Sequence, residues 1–234
     1  YNLATPFRRQ HLQRSISGFA ALAMYFYTIT ALPLATAVTL NYTSSVFIAL
    51  FSTLMSRRWP AWQLIFAVML GFGGVIALLN PTLHSDQLGH GLVGLASGVL
   101  AAVAMLNVRS LGRLGEPEWR VVFYFSLVST VAAGGWMLLH HFSPLRWESG
   151  LLMLAMGAAA TLAQLALTRA YGQGRTLVVA SLAYSTVAFA SLAGVVLWGD
   201  WLSPLSWLGV VAIVLSGVIS IQSQAVLSCG ANAR

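Results

Sequence analysis

Along the chain, apolar stretches of about twenty residues alternate with short polar or proline-bearing breaks. Eight such stretches stand out, at residues 15–32, 35–55, 61–80, 91–110, 121–139, 149–168, 176–198 and 204–223. A helix rises about 1.5 Å per residue, so about 20 apolar residues cross the roughly 30 Å hydrocarbon core of a bilayer. Pro6, Pro33, Pro60, Pro81, Pro117 and Pro144 fall before or between the stretches, and Pro204 opens the last one. Proline removes a backbone donor and clashes with the preceding turn, so this placement marks helix ends independently of hydropathy. The pattern predicts an all-α integral membrane protein with eight transmembrane helices in this chain.

Composition narrows the surroundings. The chain is 58% hydrophobic and only 7% charged, where a soluble domain carries roughly 25% charged residues. So few charges cannot hold a protein of this length in water, and lipid must be the solvent for most of its surface. The net charge is +7, and all 12 basic residues are arginine. No run exceeds the pairs Arg8-Arg9 and Arg57-Arg58, and neither pair is interleaved with aromatics, so no nucleic-acid partner is expected. Arginine instead reports orientation, because cytoplasmic loops collect it. With the N-terminus in the cytoplasm, only Arg146 falls on the outer side, and both ends of the chain are cytoplasmic. The expected location is a multi-pass position in a bacterial-type inner (plasma) membrane. Cys229 stands alone, so no intrachain disulfide can form. Glycines such as Gly71, Gly74, Gly94, Gly98 and Gly217 sit within the stretches, where small residues let helices approach closely.

The chain also repeats itself. A shift of 142 positions lays Tyr42-Thr43-Ser44 over Tyr184-Ser185-Thr186 and pairs Phe47 with Phe189, Leu50 with Leu192 and Trp59 with Trp201. After one inserted residue, Gly74-Val75-Ile76 meets Gly217-Val218-Ile219. The shift sets the basic loop at Arg57 and Arg58 against Gly199 and Asp200, so equivalent loops fall on opposite sides of the membrane. That is the mark of an inverted repeat, which needs an odd number of helices per unit. The expected division is 1–83 for the last three helices of a first repeat, 84–228 for a five-helix second repeat, and 229–234 for a tail. The first repeat is then short by two helices. A ten-helix inverted-repeat (5+5) fold follows as the expectation, with a shorter eight-helix protein as the alternative.

The run Phe26-Tyr27, Leu32-Pro33-Leu34-Ala35-Thr36-Ala37 and Leu40-Asn41-Tyr42-Thr43-Ser44 resembles the third and fourth helices of EamA-type transporters of the drug/metabolite transporter superfamily. Gly71-Phe72-Gly73-Gly74-Val75, Phe123-Tyr124-Phe125-Ser126-Leu127 and Thr161-Leu162-Ala163-Gln164 with Thr168-Arg169-Ala170-Tyr171 resemble later parts of the same family, in its order. The resemblance implies ten helices in two inverted repeats, cytoplasmic termini, a central substrate cavity, and export of amino-acid-like or drug-like small metabolites. The chain departs from the family in its first two helices and in Ser45, where the family usually has proline.

Candidate chemistry is sparse. Asp86, Glu116, Glu118, Glu148 and Asp200 all lie in loops or at span ends, so no embedded carboxylate offers a proton relay. Polar groups within a span must find partners, since lipid offers none. The substrate-binding candidates are therefore Asn41, Tyr42 and Ser44, their repeat partners Tyr184 and Thr186, and Gln164. Tyr42, Tyr184 and Gln164 are expected to face a common polar cavity. The competing reading of each is hydrogen bonding between helices. Arg169 is read as a snorkelling arginine rather than an anion receptor.

No catalytic residue, cofactor or metal is expected. Ala96-Ser97-Gly98 superficially suggests a membrane serine hydrolase, but His11, His84, His90, His140 and His141 all lie in loops or at span ends, away from any base position. Expected partners are a small-molecule substrate and the lipid bilayer, with a homodimer left open. A non-transporting scaffold or sensor is the alternative to transport.

Overall fold

The computed structural model of the chain describes residues 3–56, 59–82, 87–139, 147–199 and 201–232. Among them the regular structure is helical: α1 (Arg8–Ala31), α2 (Leu34–Ser56), α3 (Trp62–Leu79), α4 (Leu88–Arg113), α5 (Glu118–Leu138), α6 (Trp147–Gln173), α7 (Thr176–Ala183), α8 (Ser185–Trp198) and α9 (Pro204–Asn232). Arg57, Arg58, His84, Asp86, His140, His141, Arg146, Asp200 and Arg234 lie outside the described residues.

Helix ends follow the sequence signals. Asn80, in the left-handed region at φ 44°, closes α3 just before Pro81. Gly199, at φ 72°, closes α8, where a side chain would strain the turn. The expected span at 176–198 is divided at Tyr184. There the amide of Tyr184 donates to the Ser181 carbonyl (3.3 Å) and that of Val187 to the Tyr184 carbonyl (3.0 Å). These three-residue steps tighten the helix locally.

Among the described residues, seven helical segments are long and apolar enough to cross a membrane: Leu34–Met55, Trp62–Leu79, Leu88–Arg113, Glu118–Leu138, Ser149–Gln173, Thr176–Leu197 and Pro204–Ser223. α1 covers the first expected stretch, 15–32, but is not among them, so seven of the eight expected spans are found. It starts at Arg8, seven residues before the apolar run, and so carries Arg8, Arg9, His11 and Arg14 in its first two turns. On α6, residues 151–163 are all exposed, although Leu151, Leu152, Met153, Leu154 and Met156 are among them. Such a surface belongs in hydrocarbon, and the chain is a multi-pass integral membrane protein.

The helix bounds repeat with the 142-residue period. Leu34–Ser56 shifted by 142 gives Thr176–Trp198, the joint bounds of α7 and α8, and Trp62 shifted gives Pro204, the start of α9.

The chain groups into two compact units. One comprises Tyr1–Phe19 and Val103–Gly174, the other Ala20–Ala102 and Arg175–Arg234. In the second, α3 packs most extensively on α9, and α2 and α7 pack on this pair. Its core is Val75, Leu78, Tyr184, Val187, Ala188, Val210 and Ile213. In the first, α5 packs on α6, and Gly112 of α4 meets Gly172 of α6 so closely that a Cβ at Gly112 would stand 2.4 Å from the Gly172 Cα.

Candidate functional site

Two polar clusters are built inside the helices, one in each unit. In the second unit α2 brings Tyr42 to α7, where its ring lies 5.9 Å from that of Tyr184, tilted by 47°. The Thr186 side chain lies beside the Tyr42 hydroxyl. Tyr184 is fully buried, and α3 makes its seat: a Cβ at Gly71 would stand 2.5 Å from the Tyr184 ring. Phe72 closes the aromatic group, 6.4 Å from Tyr184. Beside it, Ser45 donates its hydroxyl to the Ala180 carbonyl (2.9 Å), joining α2 to α7. Ser45 thus forms an interhelical bond. Further along, the Asn41 amide lies 3.5 Å from the Ser97 hydroxyl of α4. Gly98 admits Thr43 and the Ser44 backbone so closely that a Cβ there would meet the Thr43 hydroxyl at 2.4 Å. Five of the expected residues, Asn41, Tyr42, Ser44, Tyr184 and Thr186, therefore belong to one neighbourhood of one unit.

Gln164 belongs to the other unit, where its side-chain oxygen accepts from Arg14 Nη2 at 3.2 Å. Arg14 is 2% exposed. Its guanidinium carbon stands 3.9 Å from the centre of the Phe125 ring, an attractive face for a cation. Gly18, one turn later on α1, leaves room for it: a Cβ there would lie 2.3 Å from Nη1. Nε and Nη1 have no hydrogen-bond partner among the described residues.

Close by in the chain, Glu116 ties α1 to α5. It accepts from the Thr5 hydroxyl (2.6 Å) and, through both oxygens, from Arg120 (3.2 and 3.0 Å). His11 Nε2 lies 3.3 Å from Glu116 Oε2, and its ring is 4.7 Å from that of Tyr124. Burial pushes the His11 pKa down, more than the neighbouring carboxylate raises it, which favours neutral imidazole. Burial alone would raise the Glu116 pKa. The bonds from Thr5, Arg120 and His11, with the charge of Arg120, outweigh it and keep the carboxylate ionised below its usual range.

Arg14, His11 and Glu116 were not singled out by sequence pattern as a cluster. The readable signal was Gly18 four residues after Arg14, a small residue on the same helix face.

Lipid-facing apolar helices that enclose hydroxyl, amide and guanidinium groups fit a membrane transporter of small molecules. Comparison with known proteins agrees. The chain is 32% identical over 209 residues to the pseudopaline exporter CntI of Pseudomonas aeruginosa, a match covering 88% of this chain and 72% of that protein. An uncharacterized transporter of Helicobacter pylori is 24% identical, with 88% and 71% covered. The riboflavin transporter of Rhizobium johnstonii is 28% identical over 223 residues, with 94% and 72% covered. The chain belongs to the family of membrane transporters that includes the pseudopaline exporter. No family model matches it. A protein of known crystal structure shares its fold with a TM-score of 0.80 at 20% identity, over 93% of this chain and 77% of the other.

Proposed function

We propose that this chain exports a small polar metabolite across a bacterial plasma membrane, using the inverted-repeat design of EamA-type transporters, with Asn41, Tyr42, Ser44, Tyr184 and Thr186 of one unit as substrate-binding residues, and with Gln164 of the other unit as a substrate-binding residue in its own right. The observation that carries the design is the symmetry of contacts in the second unit. On the unbroken 142-residue shift of the helix starts, without the inserted residue that aligns Gly74 with Gly217, the bond from Ser216 to the Ala67 carbonyl exchanges with the approach of Gly209 to the Gly74 carbonyl. Tyr42 and Tyr184 exchange with each other, so their contact would lie on the axis itself. Contacts that exchange in pairs are the signature of a two-fold relation. Because Ala67 meets Ser216 while Gly74 meets Gly209, α3 and α9 run antiparallel. A two-fold axis relating two antiparallel spans lies in the membrane plane, as an inverted repeat requires.

Substrate sites in such repeats gather near the midplane, where helices are interrupted and free backbone groups are available. Tyr184 lies within the α7–α8 span at its locally tightened turn, whose backbone groups stay hydrogen-bonded, and this position inside the span supports that placement. The small cargo follows from the relatives, whose names specify pseudopaline and riboflavin, and the outward direction from the exporter among them. The excess of arginine on one side supports cytoplasmic termini.

The test is to measure small molecules in cells and medium with and without the protein. Export predicts at least one polar metabolite that rises in the medium and falls in the cells, with the change lost on Tyr42→Ala. Accumulation inside the cells would reverse the direction, and no change with correctly inserted protein would refute transport.

A further inference from the structure

Arginine keeps its charge under all ordinary conditions, and a cation enclosed without a counter-charge is costly. Arg14 is in that position. It is 2% exposed, and the described carboxylate near α1, Glu116, is paired with Arg120 and lies beside His11, which leaves Arg14 out. Its neighbours are neutral: the Phe125 ring, which has no acceptor, the bare backbone of Gly18, and the Gln164 amide. One hydrogen bond at 3.2 Å engages Nη2, while Nε and Nη1 have no acceptor among the described residues. A residue kept only to hold α1 against α5 and α6 would need no such charge. The arrangement is what remains when a receptor for an anion is built without a resident one.

Gln164 is the partner that can give way. It is only half-buried, on a helix whose preceding turns are exposed. Its amide oxygen sits where the oxygen of a carboxylate would sit, with the same shape and without the charge. We propose that Arg14 receives a carboxylate group of the transported molecule, exchanging the Gln164 amide for it, so that the cargo class is a small organic acid. The inference rests on the reading of this chain as a transporter. A carboxylate fits better than a phosphate dianion. One arginine neutralises one charge, and the next cation along α5, Arg120, is already bound through both oxygens of Glu116. Charge-assisted hydrogen bonds from arginine to carboxylate are short and strong, so the exchange gains on the neutral amide.

The full chain in detergent is heated with acetate or succinate, with acetamide or succinamide, and with inorganic phosphate, all at matched ionic strength. The two acids should raise the unfolding temperature with concentration, because a ligand bound only to the folded state stabilises it by mass action. The amides should not, and phosphate should act more weakly than succinate. Arg14→Gln should abolish the response. Gln164→Glu gives Arg14 a carboxylate of its own, so it should unfold above the wild type and no longer respond to acids. Equal shifts with acids and amides, a larger shift with phosphate, or a Gln164→Glu protein that responds like the wild type would each overturn the assignment. The readout is binding, which separates the two readings. An acid response in a protein that moves no metabolite sinks transport and keeps the site. A working exporter without an acid response keeps transport and sinks the site.

Discussion

The crossing of α3 and α9 makes a sharp quantitative demand. A Cβ added at Gly74 would stand 2.8 Å from the Gly209 carbonyl oxygen and 2.9 Å from Ile213 Cγ1. One added at Gly209 would stand 2.6 Å from the Gly74 carbonyl oxygen and 2.7 Å from the Leu78 amide. Optimal heavy-atom contacts lie at about 3.5 Å or more, so either alanine must part the two backbones by roughly 0.5–1 Å. Backbone cannot swing aside as the end of a side chain can. Overpacking of this kind costs roughly 1–3 kcal/mol, and lipid offers no hydrophobic compensation for helices that separate. Gly74→Ala and Gly209→Ala should each destabilise by about that amount. The double variant should cost less than their sum, because one separation accommodates both methyl groups. Gly73→Ala is the control: nothing lies within 4 Å of its added Cβ, so its effect should stay within about 0.5 kcal/mol. Reversible unfolding in mixed micelles with increasing sodium dodecyl sulfate, followed by helicity, gives these numbers. If Gly74→Ala is as mild as Gly73→Ala, or the double variant is strictly additive, the close crossing is wrong.

Three further predictions concern other elements. Gly112→Ala should destabilise the first unit by roughly 1–3 kcal/mol, since its methyl group meets the Gly172 backbone; the same unfolding assay reads it. Ser45→Ala should cost only about 0.6 kcal/mol, as single hydrogen bonds in membrane proteins average, whereas Ser45→Pro also removes a backbone donor within α2 and should cost far more; a proline variant as stable as the alanine one would count against the Ser45–Ala180 bond. Acid should weaken the Thr5–His11–Glu116–Arg120 cluster. Both titrating groups hold pKa values below their ordinary 6.5 and 4.5, so the unfolded chain binds protons first and stability is complete above about pH 6.5. The unfolding temperature should fall as the pH drops through 6.5 and again through 4.5, with the lower limb flattened in Glu116→Gln, and a curve that rises on acidification would refute the assignment.

Much of the fold was legible because its grammar is simple. Twenty-residue apolar runs and misplaced prolines are strong signals in a solvent that forbids unpaired backbone, and α2 begins at Leu34 and α3 ends at Leu79 close to where hydropathy and proline placed them. The 142-residue offset between Tyr42 and Tyr184 in the sequence is also the offset between the bounds of α2 and those of α7 with α8. Other features were hidden for physical reasons. α1 extends back to Arg8 because polar residues continue a helix as readily as apolar ones, so hydropathy marks only its hydrocarbon part. Counting arginines for orientation treats each as a loop charge, which concealed the enclosure of Arg14. The local break at Tyr184 has no glycine or proline to announce it; it depends on how the ring is seated against Gly71, a contact between positions far apart in the chain. For the same reason the partner of Gln164 was not predictable, because Arg14 lies 150 residues away.

The central claim is that the α2–α7 contact borders the path of the substrate. Cysteines placed singly at Tyr42 and Tyr184, in a chain whose own Cys229 is replaced by serine, can be challenged in sealed vesicles with a membrane-impermeant thiol reagent from each side in turn. The account predicts that both positions react from either side, since alternating access opens the same site to each compartment, and that the transported metabolite slows the reaction. Cysteines that react only with a lipid-soluble reagent, and never with the impermeant one from either side, would contradict it.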